Sequence, residues 1–165
     1  MNKTIHIELS NKSINNAIKE LHKYSAWITQ KEKEFRLRLA QIGADVARIQ
    51  FSKAVYDGTN DVTVRVDDTG SVAVIYAEGE SVMFIEFGSG LIGYGHPQAD
   101  EFGFGPGTWS DDEDKGGKGH WDNPKGWYYA HEKKSHGNPP AMAMYKALEA
   151  MTEQITQIAK EVFSK

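Results

Sequence analysis

The chain has 165 residues, a size that suits one domain with its own hydrophobic core. Its formal net charge of -4 disfavours specific or broad nucleic-acid binding, which needs many lysines and arginines against the phosphates. The absence of cysteine excludes disulfides, thiolate-bound zinc and a cysteine nucleophile. There is no secretory signal and no run of about 18 apolar residues, so we expect no membrane partner.

The first predicted element is a long helix over residues 11–54, in which apolar residues recur at spacings of three, four or seven. These residues are Ile14, Ile18, Leu21, Ile28, Phe35, Leu39, Ile42, Val46 and Ile49. Ser13, or the segment NKS that ends with it, supplies the N-cap. Glu32 falls on the apolar stripe, so we expect a kink, a break or an exposed middle there. A continuous helix would be about 60 Å long, more than a small domain covers, so the excess must pack on something else.

Antiparallel strands are predicted over residues 61–88. Valines alternate with polar residues up to Val66, an Asp-rich turn ends in Gly70, and the alternation resumes up to Tyr76, which is typical of a hairpin. The segment Val82–Phe87 is apolar at nearly every position, which favours a third strand covered on both faces. We expect the chain's own helices on one face and a neighbouring subunit on the other.

Residues 89–137 form a predicted insertion loop that is rich in glycine and aromatic residues and lacks sustained periodicity. Disordered segments are poor in aromatic residues, so we expect this loop to become ordered on a partner. A C-terminal helix follows over residues 139–163, with Asn138 as its cap and two prolines in its first turn. The sequence therefore predicts a single domain, residues 1–165, of the α+β class: a small antiparallel sheet packed by a long N-terminal helix and a C-terminal helix.

No reaction follows from the residue pattern. The loop region contains four histidines, His96, His120, His131 and His136. Their spacing matches no metal-ligand template, the serines lack a nucleophile elbow, and the segment GFGPG lacks the lysine of a phosphate loop. We expect no catalytic residues, no metal and no cofactor. Two alternatives stay open: a metal-dependent hydrolase that uses the loop histidines, and a small regulator that binds a host protein.

Aromatic side chains are the candidates for a binding surface, because Trp and Tyr are enriched at protein interfaces. They either fold back over the chain's own sheet or anchor contacts with another subunit. The candidate assembly-interface residues are Trp109, Trp121, Trp127, Tyr128, Tyr129, Phe84 and Phe87. The acidic run SDDEDK is interpreted as a solvated loop face, with docking onto a basic surface as the alternative.

Three stretches, in this order, resemble the minor tail and tail-completion proteins of long-tailed bacteriophages. VMFIEFGSG resembles the strand of that family that ends in an aromatic-Glu-Phe-Gly signature. IGYGHPQADEFGFGPGTW and GKGHWDNPKGWYY resemble the glycine-rich insertion of members from phages and prophages of Gram-positive bacteria. HGNPPAMAMYKALEAM resembles the closing motif that leads into the final helix. The resemblance covers the chain from about residue 82 onward.

The resemblance implies a structural, non-enzymatic virion protein of the head–tail junction (neck) or tail end, which passes through the host cytoplasm during assembly. It implies a hexameric ring of this chain, docked to head-closure or connector proteins and to tail-tube or terminator proteins. It transfers no catalytic or metal-binding residue. The residues that carry the motifs are Phe84, Glu86, Phe87 and Gly88 on the core strand, and Asn138, Pro139 and Pro140 before the last helix.

Overall fold

A computed structural model describes residues 4–56, 58–90, 93, 95–102, 127–129, 133–135 and 137–164. The helices are α1 (Asn11–Lys53), α2 (Val82–Phe87), α3 (Ala99–Phe102) and α4 (Ala143–Phe163) within these residues. The strands there are β1 (Thr63–Asp68), β2 (Ala73–Glu78), β3 (Ser89–Gly90), β4 (Trp127–Tyr129), β5 (Lys133–Ser135) and β6 (Gly137–Asn138). The predicted α+β class is confirmed, because α1 and α4 pack together and the β1–β2 hairpin packs on α1.

Helix α1 is continuous over the predicted range, and its N-cap is Ser10 rather than Ser13. The Ser10 hydroxyl accepts a hydrogen bond from the Ser13 amide at 3.2 Å, and the Ser13 hydroxyl accepts one from the Glu8 amide at 2.9 Å. The polar middle of the helix is exposed and unbroken: Glu32 lies on the surface and pairs with Arg36 at 3.0 Å. Of the three expectations for that region, the exposed middle is the one observed.

The core forms where the second half of α1 meets α4, α2 and the hairpin. Its buried members are Ala44, Ala47, Phe51, Val64, Ile85, Ala143 and Ala147. Small residues of α1 let the neighbouring elements approach closely: a Cβ on Gly43 would lie 2.6 Å from Ile75 and 2.7 Å from Met151. Apart from Phe51, the buried residues on the core face of α1 are small, and much of the predicted stripe of large aliphatic residues lies outside the core.

The β1–β2 hairpin is antiparallel as predicted, with Arg65 opposite Tyr76. Its turn is fastened to α1 by Arg36, whose Nη2 donates to Asp68 Oδ1 at 3.0 Å and to the Gly70 carbonyl at 2.9 Å. The hydrogen bond from Arg36 lowers the pKa of Asp68 below its ordinary value. A single guanidinium therefore fixes the position of the turn against the middle of the long helix.

The segment predicted as a third strand is helix α2, so the strand prediction was wrong for these residues. The N-terminus of α2 is closed by Asp61, whose carboxylate accepts hydrogen bonds from the Glu80 amide at 2.6 Å, the Ser81 amide at 3.1 Å and the Ser81 hydroxyl. A short apolar run suits a buried strand and a buried helix equally well. The distant carboxylate of Asp61 stabilises the helical alternative.

The C-terminus of α2 joins the N-terminus of α4 directly. The Ile85 carbonyl accepts from the Ala141 amide at 2.8 Å, and the Glu86 carbonyl accepts from the Met142 amide at 3.2 Å. Helix α4 starts at Ala143, with Met142 in the left-handed region (φ 54°) as N-cap and without a side-chain cap of its own. The prediction that Asn138 caps this helix was therefore wrong.

Asn138 instead belongs to β6, which pairs antiparallel with β3: Ser89 lies opposite Asn138 and Gly90 lies opposite Gly137. The predicted insertion loop thus leaves and re-enters the fold at one point. Parts of it carry secondary structure, since α3 and the β4–β5 pair lie between these two short strands. The pairing of β3 with β6 therefore holds the residues after β6 in place, whatever the length of the loop.

Gly88 lies at the centre of this junction, in a conformation (φ 77°, ψ 177°) that essentially only glycine adopts. A Cβ there would lie 2.7 Å from the Asn138 carbonyl oxygen, 2.8 Å from the Pro140 nitrogen and 2.9 Å from the Gly93 Cα. These are backbone atoms, which cannot move aside as the end of a side chain can. The position therefore requires glycine for two independent reasons.

Replacing Gly88 by alanine should lower the free energy of unfolding by about 3 kcal/mol or more, from backbone strain and overpacking together. Gly70→Ala is the matched control, because Gly70 also has a positive φ (92°) but nothing lies within 4 Å of an added Cβ. That variant should lose only about 1–2 kcal/mol, from strain alone. Urea unfolding followed by circular dichroism measures both values, and equal losses would contradict the close packing at Gly88.

The Asp61 cap should make stability depend on pH in the acid range. The hydrogen bond from the Ser81 hydroxyl, with those from the Glu80 and Ser81 amides, lowers the pKa of Asp61 from 3.8 to about 2. The carboxylate therefore stabilises the fold above pH 3.8, and this contribution is lost as the pH falls towards 2. Wild type should be more stable than Asp61→Asn near neutral pH, with the difference shrinking through this window in urea unfolding. A difference that does not change with pH would show that the Asp61 charge is not involved.

Candidate assembly surface

The predicted interface residues are only partly within the described structure. Trp109 and Trp121 lie outside the described residues. Trp127, Tyr128 and Tyr129 form β4, which pairs with β5, and their side chains are not among those described. Their role as interface anchors stays a prediction.

The other two predicted residues lie on α2. Phe84 is half-buried, and Phe87 is buried at 6% exposure. The ring of Phe87 packs against His96, with centroids 4.2 Å apart, and against Phe102, at 5.7 Å. Phe87 therefore serves the chain's own packing, whereas Phe102 on α3 leaves more than half of its surface exposed.

In the described structure, Glu86 and His96 are both buried and form a hydrogen-bonded pair. Glu86 Oε2 accepts from the Met144 amide at 2.8 Å, and Oε1 accepts from the Tyr145 amide at 3.0 Å and from His96 Nε2 at 3.2 Å. His96 Nδ1 accepts from the Gln98 amide at 3.1 Å, which assigns the ring proton to Nε2. Every acceptor and donor of this cluster faces the protein itself.

This arrangement makes Glu86 the cap of α4. It satisfies the amides of the second and third helical residues, which have no partner within a helix, and places negative charge at the positive end of the helix dipole. Within the described part of the chain, no group of three or more histidine, aspartate or glutamate side chains could hold a metal ion. His120, His131 and His136 lie outside the described residues. In the described structure, Glu86 stabilises the fold by capping α4.

A second feature is exposed rather than buried: a stripe of large aliphatic residues on the first half of α1. We call it the α1 stripe and define it as Ile14, Ile18, Leu21 and Ile28. Each of these side chains is 40–54% exposed, although the sequence pattern resembles that of a core-facing helix. Their spacing of four, three and seven residues places them on one side of the helix. The stripe is an exposed apolar surface, interrupted between Leu21 and Ile28 by the exposed Ser25.

The α1 stripe is exposed because α4 does not reach it. The two helices run antiparallel, since Lys146 at the start of α4 contacts Gln50 and Glu161 near its end pairs with Arg38. Helix α4 ends at Phe163, whose ring lies 6.4 Å from Trp27 and 6.0 Å from Phe35. The part of α1 before Trp27 therefore extends past its helical partner by about 24 Å, at 1.5 Å per residue.

The length of α1 indicates that part of this helix packs on something else, whereas its pattern of apolar residues does not indicate which part. The part of α1 that extends past α4 is consistent with the expectation that the excess length of this helix packs on something else. The pattern alone does not mark these residues as an interface, because large aliphatic residues at helical spacing are usually core residues. Only the position of α4 distinguishes the exposed half from the buried half.

Comparison with protein-family models, with curated proteins and with solved structures finds no match to this chain. Among the helices of the described residues, none combines the length and the apolar character that crossing a membrane requires. Two features of the described structure bear on function beside the sequence motifs: the junction at Glu86 and the exposed apolar surface on α1.

Glu86→Gln should lower the free energy of unfolding by about 1–3 kcal/mol, because the amide turns a donor towards groups that are themselves donors. The exposed Glu153→Gln, on the same helix as the capped amides, is the control and should be nearly neutral. Hydrogen exchange should also accelerate at the Met144 and Tyr145 amides in the Glu86 variant. Unchanged exchange at these two amides would contradict the capping role, whatever the change in global stability.

Proposed function

We propose that this chain is a structural protein of a long-tailed phage virion that acts at the head–tail junction or the tail end. It works without a catalytic site, by associating with copies of itself in a ring and by docking to neighbouring connector or tail proteins. The resemblance of three ordered motifs to tail-completion proteins supplies the class of protein. The observation that carries the proposal is the α1 stripe, which a monomer leaves uncovered.

An apolar stripe on one helix face indicates an interaction site, whereas scattered exposed apolar residues do not. Single exposed aliphatic residues are normal on protein surfaces, but contiguous apolar patches mark interaction sites. Ile14, Ile18 and Leu21 lie on the part of α1 that extends past the end of α4, and Ile28 follows directly after Trp27, which that end contacts. This supports association as the role of that half of the helix.

The expected strength of the contact also fits an assembly protein. Each stripe residue is already about half-covered, so burying the rest contributes on the order of 1 kcal/mol per side chain. Four such residues barely offset the association cost, which is at least about 4 kcal/mol. The stripe alone therefore gives a weak contact that becomes stable when several contacts form together, as they do in a ring bound to a larger particle.

The junction at Glu86 supports the proposal in a second way. Two of the three motifs that carry the resemblance, VMFIEFGSG and HGNPPAMAMYKALEAM, meet there through the Glu86 cap and the β3–β6 pairing. The third motif, the glycine-rich insertion, begins and ends at this pairing. Two of the three motifs thus form one structural unit at this junction.

The proposal is tested by locating the chain in particles. In a phage or induced prophage that encodes it, mass spectrometry of purified virions should detect the chain in a fixed small copy number. Deletion of its gene should leave heads and tails that do not join, as seen by electron microscopy. Absence of the chain from virions, together with normal joining in the deletion strain, would exclude the proposed function.

Complementation of the deletion strain then tests the α1 stripe. Ile18→Glu with Leu21→Glu places two charges on the stripe and should fail to restore infectious particles. Ala26→Glu with Gln30→Glu adds the same charge to exposed positions on the opposite side of the same helix and should restore them. Equal complementation by both double variants would show that the stripe is not needed for assembly.

A further inference from the structure

The start of the insertion is tied to the rest of the protein by the buried His96. Its side chain is 1% exposed, and its ring contacts Phe87 of α2, with centroids 4.2 Å apart, and Tyr145 of α4, at 5.7 Å. Its Nε2 donates to Glu86 Oε1 at 3.2 Å, and its Nδ1 accepts from the Gln98 amide at 3.1 Å. One ring therefore connects the first segment of the insertion with the cap of α4.

The hydrogen bond at Nδ1 positions α3. The Ala99 amide donates to the His96 carbonyl at 3.2 Å, and the Phe102 amide donates to the Gln98 carbonyl at 3.3 Å. Helix α3 has only four residues, and none of them is buried. A helix of one turn is not stable by itself in water. Its position therefore depends on the turn that the His96 side chain closes and on the contact of Phe102 with Phe87.

The bond at Nδ1 exists only while the ring is neutral. A neutral imidazole has one donor and one acceptor nitrogen, whereas both nitrogens of the protonated ring are donors. A proton on Nδ1 would make two N–H groups face each other across 3.1 Å, at a side chain to which water has almost no access. Protonation of the ring in this position therefore loses a hydrogen bond and leaves a buried donor without an acceptor, which is unfavourable.

Glu86 attracts a positive charge on the ring, but it gains no new hydrogen bond when the ring is protonated. Nε2 donates to Glu86 in both protonation states. The negative charge of Glu86 is also balanced already by the Met144 and Tyr145 amides at the positive end of α4. These contacts weaken the attraction between Glu86 and the protonated ring, and we take the loss at Nδ1 as the larger effect.

The other titratable and charged groups on the elements around the ring are exposed or engaged elsewhere. The Tyr145 ring lies edge-on to the imidazole, at an interplanar angle of 69°. Lys146 of α4 donates to the Ala141 carbonyl at 2.9 Å. Asp100 and Glu101 of α3 are exposed. Among the described residues, Glu86 is therefore the charged group that is hydrogen-bonded to His96.

We propose that His96 is a pH-sensitive switch, which holds residues 96–102 against α2 and α4 while its ring is neutral and releases them when the ring is protonated. Release exposes Phe87 and frees the first segment of the insertion. The Glu86 cap stays in place, because the Met144 and Tyr145 amides bind the carboxylate independently of His96. The inference goes beyond the proposed function and does not rest on it.

The direction of the effect follows from the coupling of protonation to release. Only the released ring takes up a proton without losing the bond to Gln98, so a lower pH favours release. Imidazole in water has a pKa of about 6.5, so the equilibrium constant for release should rise about tenfold between about pH 7 and pH 5.5. Asp61 does not contribute in this range, because its pKa is lowered to about 2.

Hydrogen exchange of the full-length chain measures this constant. The readout is the protection of the Gln98, Ala99 and Phe102 amides, corrected for the intrinsic exchange rate at each pH. In wild type, their protection should fall about tenfold over the same pH range. The Met144 and Tyr145 amides are the internal control and should keep their protection, since Glu86 continues to bind them.

Two substitutions separate the roles of the two ring nitrogens. His96→Asn keeps an acceptor for the Gln98 amide that cannot be protonated, because an Asn side chain commonly accepts from the N–H two residues further on. Its protection at residues 98–102, whatever the level, should not change with pH. His96→Gln keeps a donor for Glu86 but removes the acceptor at Nδ1, so its protection should be low at every pH.

Other outcomes overturn the inference. Wild-type protection that is absent or constant with pH would show that His96 is not a switch. Protection that rises as the pH falls would show that Glu86 holds the protonated ring in place. An equal fall in wild type and in His96→Asn would assign the effect to another group. None of these outcomes bears on the virion role, which the presence of the chain in particles tests separately.

Discussion

The buried carboxylate of Glu86 is the interaction on which the arrangement of the other elements depends. Helix α4 begins without a side-chain cap of its own, and α2 ends with carbonyls that have no partner within the helix. Leaving such groups buried and unpaired costs about 1–3 kcal/mol each. The Glu86 side chain and the α2 carbonyls satisfy the amides at the start of α4, while His96 donates to the same carboxylate. Two helix ends that are distant in sequence thereby become one rigid junction.

This junction explains how the fold tolerates a long insertion. The strands β3 and β6 pair beside Gly88, so the two ends of the insertion are fixed next to each other. The entropic cost of closing a loop grows only slowly with its length. The insertion can therefore carry glycine and aromatic residues in large numbers without weakening the contact of α2 with α4.

The two halves of α1 differ: the second half packs in the core, and the first half carries the exposed α1 stripe. Its second half packs through small residues such as Gly43 and Ala44, which allow the hairpin and α4 to approach closely. Its first half carries large aliphatic residues on the surface, beyond the end of α4. An uncovered aliphatic stripe is costly for a monomer in water and useful for a subunit, which is why we connect it with assembly.

Local sequence signals predict the long helix α1 with its excess length, the Asp-rich hairpin and the helix α4, but not that α1 is continuous through Glu32. Periodicity, turn chemistry and length act within a few residues, so they can be recognised without a fold. Three further points depend on contacts between residues that are distant in sequence. Asp61 binds the amides of Glu80 and Ser81 directly before α2 (Val82–Phe87), and Glu86 caps α4, which begins at Ala143. The end of α4 beside Trp27 decided which apolar residues of α1 stay exposed. Each of these depends on groups far apart in the chain, and no local pattern specifies which of them will meet.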